Sequence, residues 1–190
     1  MDTKSLKKEK KSAKKDIVKI AMKMFAESGY HKTSTAAICK KAEISTGLLF
    51  YHFSSKEKLL NAIIDLIISK IDDILNQTHS ASPEKELENI IDEFFNSLIK
   101  ERQFWDLYMA LLYQPDTKEL ILGRVLEHSK QFRRTIYDLL KAIGSENPSA
   151  ESFEFEVFRV GIFASYLSNH DERLLEKSCK RMKLKYLPIY

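Results

Sequence analysis

Between Thr33 and Leu59 the chain crowds hydroxyls, a glycine, aromatic rings and lysines: Thr-Ser-Thr-Ala-Ala-Ile-Cys-Lys-Lys-Ala-Glu-Ile-Ser-Thr-Gly-Leu-Leu-Phe-Tyr-His-Phe-Ser-Ser-Lys-Glu-Lys-Leu. Ser45, Thr46 and Tyr51 both donate and accept hydrogen bonds, His52 adds ring nitrogens, and Lys56 adds a positive charge. No nucleophile stands beside a base in a catalytic pattern. The set suits a polyanion whose edges offer hydrogen-bonding groups and methyls. In a duplex major groove, hydroxyls and rings reach base edges while lysines pair with phosphates. Gly47 lets the backbone come close, and Leu48 is sized for a thymine methyl.

Such groups need a rigid mount, and the surrounding pattern supplies one. Two short helices are expected on either side of a tight turn at Ala42 to Ser45. Ile38, Ala42, Ile44, Leu49 and Phe53 can bury together against a first helix whose Ile17, Ile20, Ala21, Met24 and Phe25 share a face. Gly29 is placed to end that helix in the left-handed conformation. Thr33, Ser34 and Thr35 offer N-cap hydroxyls for the second helix, which runs to about Ala42. The third starts after Ser45, runs to about Phe53, and turns Thr46, Gly47, Leu48, Tyr51 and His52 outward. Ser54-Ser55-Lys56-Glu57 reads as a capping box for a fourth helix reaching about Gln77.

This segment resembles the DNA-binding signature of the TetR family, across roughly residues 14–60. The family's Thr-Thr start is similar to Thr33 to Thr35. Its later elements are similar to Ile38-Cys39, Ile44-Ser45 and Gly47-Leu48-Leu49-Phe50-Tyr51-His52-Phe53, ending on Lys56 and Leu59. The resemblance implies phosphate contacts from Thr35, His52 and Lys56. It implies that Ser45, Thr46, Leu48 and Tyr51 face bases. Three positions depart from the family pattern. Phe50 replaces a tyrosine and removes a phosphate hydrogen bond. Glu43 replaces the turn glycine and brings a negative charge near DNA. Cys39 replaces an alanine.

Charge distribution agrees with this reading. The net charge of +4 divides unevenly: residues 1–58 hold 14 Lys against 6 Asp+Glu, and residues 59–190 carry a net −4. A basic head on a mildly acidic body is the footprint of nucleic-acid binding, although a solvated lysine tail would give the same balance. Residues 1–13 are expected as a lysine-rich flexible arm, 14–58 as the helix-turn-helix domain, and 59–190 as a sensing and dimerisation domain.

Few glycines and prolines (5 and 4) and no strand-like alternation predict an all-α fold of about nine helices. Ser82-Pro83 opens a helix bearing Leu87, Ile90, Ile91, Phe94 and Leu98. Helices are expected over about 102–113, 117–143, 150–168 and 172–185. Aromatic residues crowd the body. Ordinary core packing accounts for any one of them. The family resemblance implies a ligand cavity among the middle helices, for which Trp105, Tyr108, Met109 and Tyr113 are the candidates, with Phe94, Phe132 and Phe158 beside them. Asp92, Glu93, Glu101 and Asp106 would suit a cationic aromatic ligand.

From Val160 to Ser168 there is no charge, so that helix must be covered on most sides. Its own subunit can cover one face and a second copy another. Val160, Gly161, Ala164, Ser165 and Leu167 are the expected dimer contacts, Gly161 and Ser165 allowing close helix approach. A central buried helix in a monomer is the alternative.

The expected partners are therefore a double-stranded operator, a small-molecule effector and a second copy of the chain, with no membrane. The five dispersed histidines and the distant Cys39 and Cys179 match no metal spacing. There is no phosphate loop or nucleophile elbow, so no enzyme activity, metal or cofactor is expected. Without a signal peptide or spanning run, a cytoplasmic location follows. A non-specific nucleic-acid-binding protein and a helical small-molecule carrier are the rival functions.

Overall fold

The computed structural model describes the backbone of residues 3–76, 80 and 82–187, and the side chains of 13–75, 80 and 82–187. The described residues form nine α-helices and no strand. These are α1 (Thr3–Ser28), α2 (Thr35–Ala42), α3 (Thr46–His52), α4 (Lys56–Asn76) and α5 (Pro83–Lys100), then α6 (Arg102–Leu112), α7 (Pro115–Ile143), α8 (Pro148–Asn169) and α9 (Glu172–Tyr186). The all-α architecture is the one expected. Met1, Asp2, Gln77 and His79 lie outside the described residues.

Caps set most boundaries. The Ser34, Ser45 and Ser82 hydroxyls accept from the amides of Ala37, Leu48 and Lys85, opening α2, α3 and α5. Asn147 accepts from Ala150 N–H ahead of Pro148 at α8, and Asp171 accepts from Arg173 and Leu174 N–H at α9. Pro115 and Pro148 both begin helices, because a first-turn residue has no intrahelical use for an N–H.

Several local expectations need correction. Helix α1 begins at Thr3, so the stretch expected as a flexible arm is helical from there. Lysine is a good helix former, and charge alone does not break a helix. The buried face of α1 is Ile17, Val18, Ala21, Met22 and Phe25, while Ile20 and Met24 are only half-buried. Both sets fit the helical period, and the packing of α2 chose between them. Thr33 is no cap. It is buried, and its hydroxyl donates to Gly29 O at 2.8 Å, closing the α1–α2 turn. The N-cap of α4 is Ser55, which accepts from Lys58 N–H at 3.1 Å, so the box expected from Ser54 to Glu57 does not form.

The chain divides into two compact units: Met1–Ile68 with Leu107–Leu122, and Ser69–Asp106 with Gly123–Tyr190. In the first, α1, α2 and α3 wrap a core of Phe25, Ile38, Leu49 and Leu59, each fully buried. In the second, Phe132, Phe155 and Tyr186 stack in sequence, their neighbouring ring centroids 6.3 and 5.1 Å apart. Burial and the nearby carboxylates of Glu154 and Glu151 push the Tyr186 hydroxyl well above its ordinary range. There α9 is tied to α5 by the Lys183 ammonium, 2.7 Å from Asp92 and 3.2 Å from Glu88. Burial pulls Lys183 down, but the two carboxylates more than offset it, and its pKa is raised.

Candidate nucleic-acid interface

Helix α3 has seven residues, too few to hold itself together in water. Leu49 fixes it from below, fully buried, and Phe53 at its C-cap is also buried. With those two positions inward, the helical period leaves Ser45, Thr46, Gly47, Phe50 and Tyr51 exposed, and Leu48 and His52 half-exposed. Tyr51 is 67% exposed, and its ring meets that of His52 edge-on at 5.1 Å.

The turn into α3 is tight. Ile44 N–H reaches Cys39 O at 3.0 Å and Glu43 N–H reaches Lys40 O at 3.4 Å, closing α2 with the paired bonds of a Schellman motif. Glu43 sits at its left-handed position, with φ 55° and ψ 40°. A residue with a Cβ is strained there by roughly 1–2 kcal/mol. This explains why the position suits glycine, and why Glu43 departs from the pattern at a stability cost. Cys39 is buried beneath the turn.

Thr35, the first residue of α2, is half-buried. Lys40 and Lys41 in the last turn of α2 are exposed. Lys14 from α1 places its ammonium 5.6 Å from the Phe53 ring. Lys56 is drawn in more than the signature suggests. Its Nζ lies 3.4 Å from His31 O and 4.4 Å from the centroid of the Tyr30 ring, and loss of water around it lowers its pKa. It remains cationic near neutral pH, at the edge of the α1–α2 turn.

One residue in this unit escaped sequence reasoning. Gln114, between α6 and α7, donates its amide Nε2–H groups to Phe25 O at 2.8 Å and Ala26 O at 3.3 Å, and its Oε1 accepts from Tyr30 N–H at 3.1 Å. It thus caps the C-terminus of α1, adding to the Gly29 N–H bond that Phe25 O already accepts at 3.0 Å. His31 and Asp116 add a contact at 3.4 Å beside it. The only signal in the sequence was a polar residue ahead of Pro115, which reads as an ordinary break.

The residues expected to line a ligand cavity are not all brought together. Phe94, Trp105 and Phe132 are buried in the second unit. Trp105 Nε1–H donates to Ser97 O at 3.2 Å, so its polar group is already satisfied within the fold. Tyr108, buried, and Met109, half-buried, belong to the first unit. Tyr113 is 75% exposed at the end of α6. Phe158 is exposed and lines a different feature. Of the acids suggested for a cationic ligand, Asp92 pairs with Lys183, Glu101 with Lys70 and Asp106 with His170. Those carboxylates are engaged by the protein's own side chains.

The feature lined by Phe158 is an open groove of about 610 Å³ between α8 and α9. Phe153, Val157, Gly161, Leu174 and Met182 line it too. Among the expected dimer contacts, Val160 and Gly161 are exposed, and Ala164, Ser165 and Leu167 are half-buried. A Cβ built on Gly161 would meet nothing within 4 Å. Within the chain, Val160, Gly161 and Ser168 of the uncharged stretch of α8 are exposed, Tyr166 is buried and the rest are half-buried.

Among the described residues, no group of three or more His, Cys, Asp or Glu could hold a metal ion, and no helix is long and apolar enough to cross a membrane. The fold and this surface define a helical protein with a helix-turn-helix head. Residues 17–63 match the sequence model of bacterial regulatory proteins of the tetR family. The chain is similar to that family through this segment. It is 50% identical over 48 residues to the HTH-type transcriptional regulator UidR of Escherichia coli (strain K12), a match covering 25% of this chain and 24% of that protein. The match thus spans about a quarter of that relative's length. It is 26% identical over 137 residues to the HTH-type transcriptional repressor KstR2 of Mycobacterium tuberculosis (strain CDC 1551 / Oshkosh), covering 68% of this chain and 65% of that protein. The fold is similar to that of a TetR transcription regulator from Haloarcula marismortui ATCC 43049, with a TM-score of 0.76 at 16% identity, covering 93% of this chain and 96% of that one.

Proposed function

We propose that this protein is a ligand-responsive transcriptional repressor that binds a palindromic operator as a homodimer and is released by a small, largely apolar or aromatic effector. The observation that carries the DNA half of this reading is α3 itself. It is a short helix clamped by Leu49 and Phe53 that presents Ser45, Thr46, Gly47, Leu48 and Tyr51 outward beside exposed lysines. Tyr51, Thr46 and Leu48 would read base edges. Thr35, His52 and Lys56 would meet phosphates, Lys56 after swinging off the Tyr30 ring.

The paired half of the reading is supported by α8 and α9. Covering their open groove with the same groove of a second copy would remove Phe153, Val157 and Phe158 from water and let α8 approach its symmetry mate at Gly161 and Ser165. Two-fold symmetry is also what places two recognition helices about 34–36 Å apart, one turn of duplex. The effector half rests on the family, and on the aromatic content of the body around Phe94, Trp105 and Phe132. The effector works only by binding one arrangement of the heads better than the other. Helix α4 is the proposed carrier of that shift. The proposed division is a DNA-binding domain over residues 14–58 and a sensing domain over 59–190, acting in the cytoplasm.

Selection from random duplex DNA tests the central claim. A symmetric consensus of two half-sites about ten base pairs apart is the expected result. Enrichment without sequence preference would instead favour a non-specific nucleic-acid-binding protein.

A further inference from the structure

Helix α7 carries Lys130, Arg133, Arg134 and Tyr137 at positions i, i+3, i+4 and i+7 of one another. Residues at those intervals share one side of a helix. The structure keeps them together, because all four line an open concavity of about 710 Å³ between α7 and the start of α8. Asn147, Ser149 and Ser152 form part of its other wall.

This concentration of positive charge runs against the rest of the body. Residues 59–190 hold 17 Lys+Arg against 21 Asp+Glu, yet three cations meet in this concavity and no described carboxylate lines it. Each cation does have an acid nearby. Lys130 Nζ lies 2.7 Å from Glu127, Arg134 Nε lies 3.2 Å from Asp138, and Arg133 Nη1 lies 3.6 Å from Glu156. None of those three acids lines the concavity. A guanidinium carries five N–H donors, so a single carboxylate does not exhaust it. The Arg133 contact is also longer than a hydrogen bond. Exposed pairs of this kind are weak, and a ligand that meets several cations at once can displace them.

Neutral groups complete the site. The Tyr137 ring lies 5.2 Å from the Arg134 guanidinium and steadies it. The Asn147 Oδ1 accepts from Ala150 N–H at 3.1 Å, and the other end of that amide is a donor only. Ser152 is buried and its hydroxyl donates to Ser149 O at 3.0 Å, whereas Ser149 itself is exposed.

We propose that this concavity binds a small phosphorylated molecule. Its three positive charges match the charge of two linked phosphates near neutral pH. A phosphate offers oxygens on several sides, which suits two guanidinium forks and an ammonium together, while a flat carboxylate fills one fork. A cleft of one sign also concentrates its counter-ion. The volume is that of a small-molecule site. This ligand is distinct from the apolar effector, and the inference does not depend on the DNA-binding reading of α3.

The test is titration calorimetry of the full chain with inorganic pyrophosphate, at low ionic strength and without divalent cations. The natural chain should bind, and more weakly as salt is added. With Arg133 and Arg134 both changed to Gln, the affinity should fall at least tenfold. Changing Lys100 and Lys177 to Gln removes the same charge from exposed positions elsewhere in the body, and should leave the affinity unchanged. The lysines of the head also attract pyrophosphate, so its place is read separately by hydrogen exchange on the natural chain. Protection should rise at residues 130–137 and 147–152 and not at 33–56. No binding by the natural chain, an equal loss in the two variants, or protection centred on residues 33–56 overturns the proposal. Tighter binding of citrate than of pyrophosphate would overturn the assignment to phosphate.

Discussion

Helices α3 and α8 both leave large apolar side chains in water, and they differ in what surrounds those side chains. On α3, Phe50 and Tyr51 stand among hydroxyls, a glycine and nearby lysines, on a helix of seven residues. On α8, Phe153, Val157 and Phe158 line one side of a helix of 22 residues, with Leu174 of α9 continuing the patch. A small apolar area ringed by donors and positive charge matches a charged, grooved partner with scattered methyls. A long apolar area matches another apolar surface, which on the proposed reading is the same face of a second copy. Exposure alone does not identify a partner; the polar groups within reach of the exposed residues do.

The comparison breaks first at the α8 face. Changing Val157 and Val160 together to Asp should give a monomer by light scattering after gel filtration, because two carboxylates cannot be desolvated unpaired. Operator affinity should fall about a hundredfold or more, as the two half-sites lose their linkage. A dimer that survives both changes would place the pairing surface elsewhere.

At α3 the expected effect is smaller and confined to DNA. Tyr51→Ala should weaken operator binding by about 1–3 kcal/mol, roughly ten- to hundredfold, with oligomeric state and melting temperature unchanged. A variant that binds normally would remove Tyr51 from the recognition surface.

The Gln114 cap sharpens the contrast from inside the first unit. Gln114→Ala removes the side-chain donor to Ala26 O and the acceptor of the Tyr30 amide, while Phe25 O keeps its bond from Gly29 N–H, and should destabilise the fold by about 1–3 kcal/mol. Thermal unfolding measures this, and hydrogen exchange should show the loss centred on residues 25–33. Loss spread evenly over the chain would count against a local cap.

The smallest effect belongs to the turn. Glu43→Gly relieves the left-handed strain at φ 55° but frees the unfolded backbone, for a net gain of roughly 0.5–1 kcal/mol. It also removes a negative charge close to α3, so DNA affinity should rise a few-fold at low salt and less at high salt. Destabilisation on this change would mean that the Glu43 side chain makes a contact that offsets its strain.

Much of the head was legible beforehand because its signals are local. Serines preceding apolar runs mark the starts of α2 and α3, and Leu49 and Phe53 bury at the spacing that leaves Tyr51 outside. The errors were of phase and of single residues. Both Val18/Met22 and Ile20/Met24 satisfy the helical period, and adjacent serines at 54 and 55 are equivalent caps until a backbone is traced. In the body, aromatic type and clustering said nothing of direction. Trp105 turned inward to Ser97 O, while Tyr113 and Phe158 turned to solvent.

The order of apolar and polar residues along the chain was enough to determine the helices, the turn at Glu43 and the outward set on α3, since each depends on neighbours within a few residues. Tertiary structure alone decided that Gln114 would cap α1 from 88 and 89 positions away, that Asp92 and Glu88 would be taken by Lys183, and that one side of α8 would stay bare. Those outcomes depend on which distant groups the fold brings within about 3 Å, and helical spacing carries no information about distant partners.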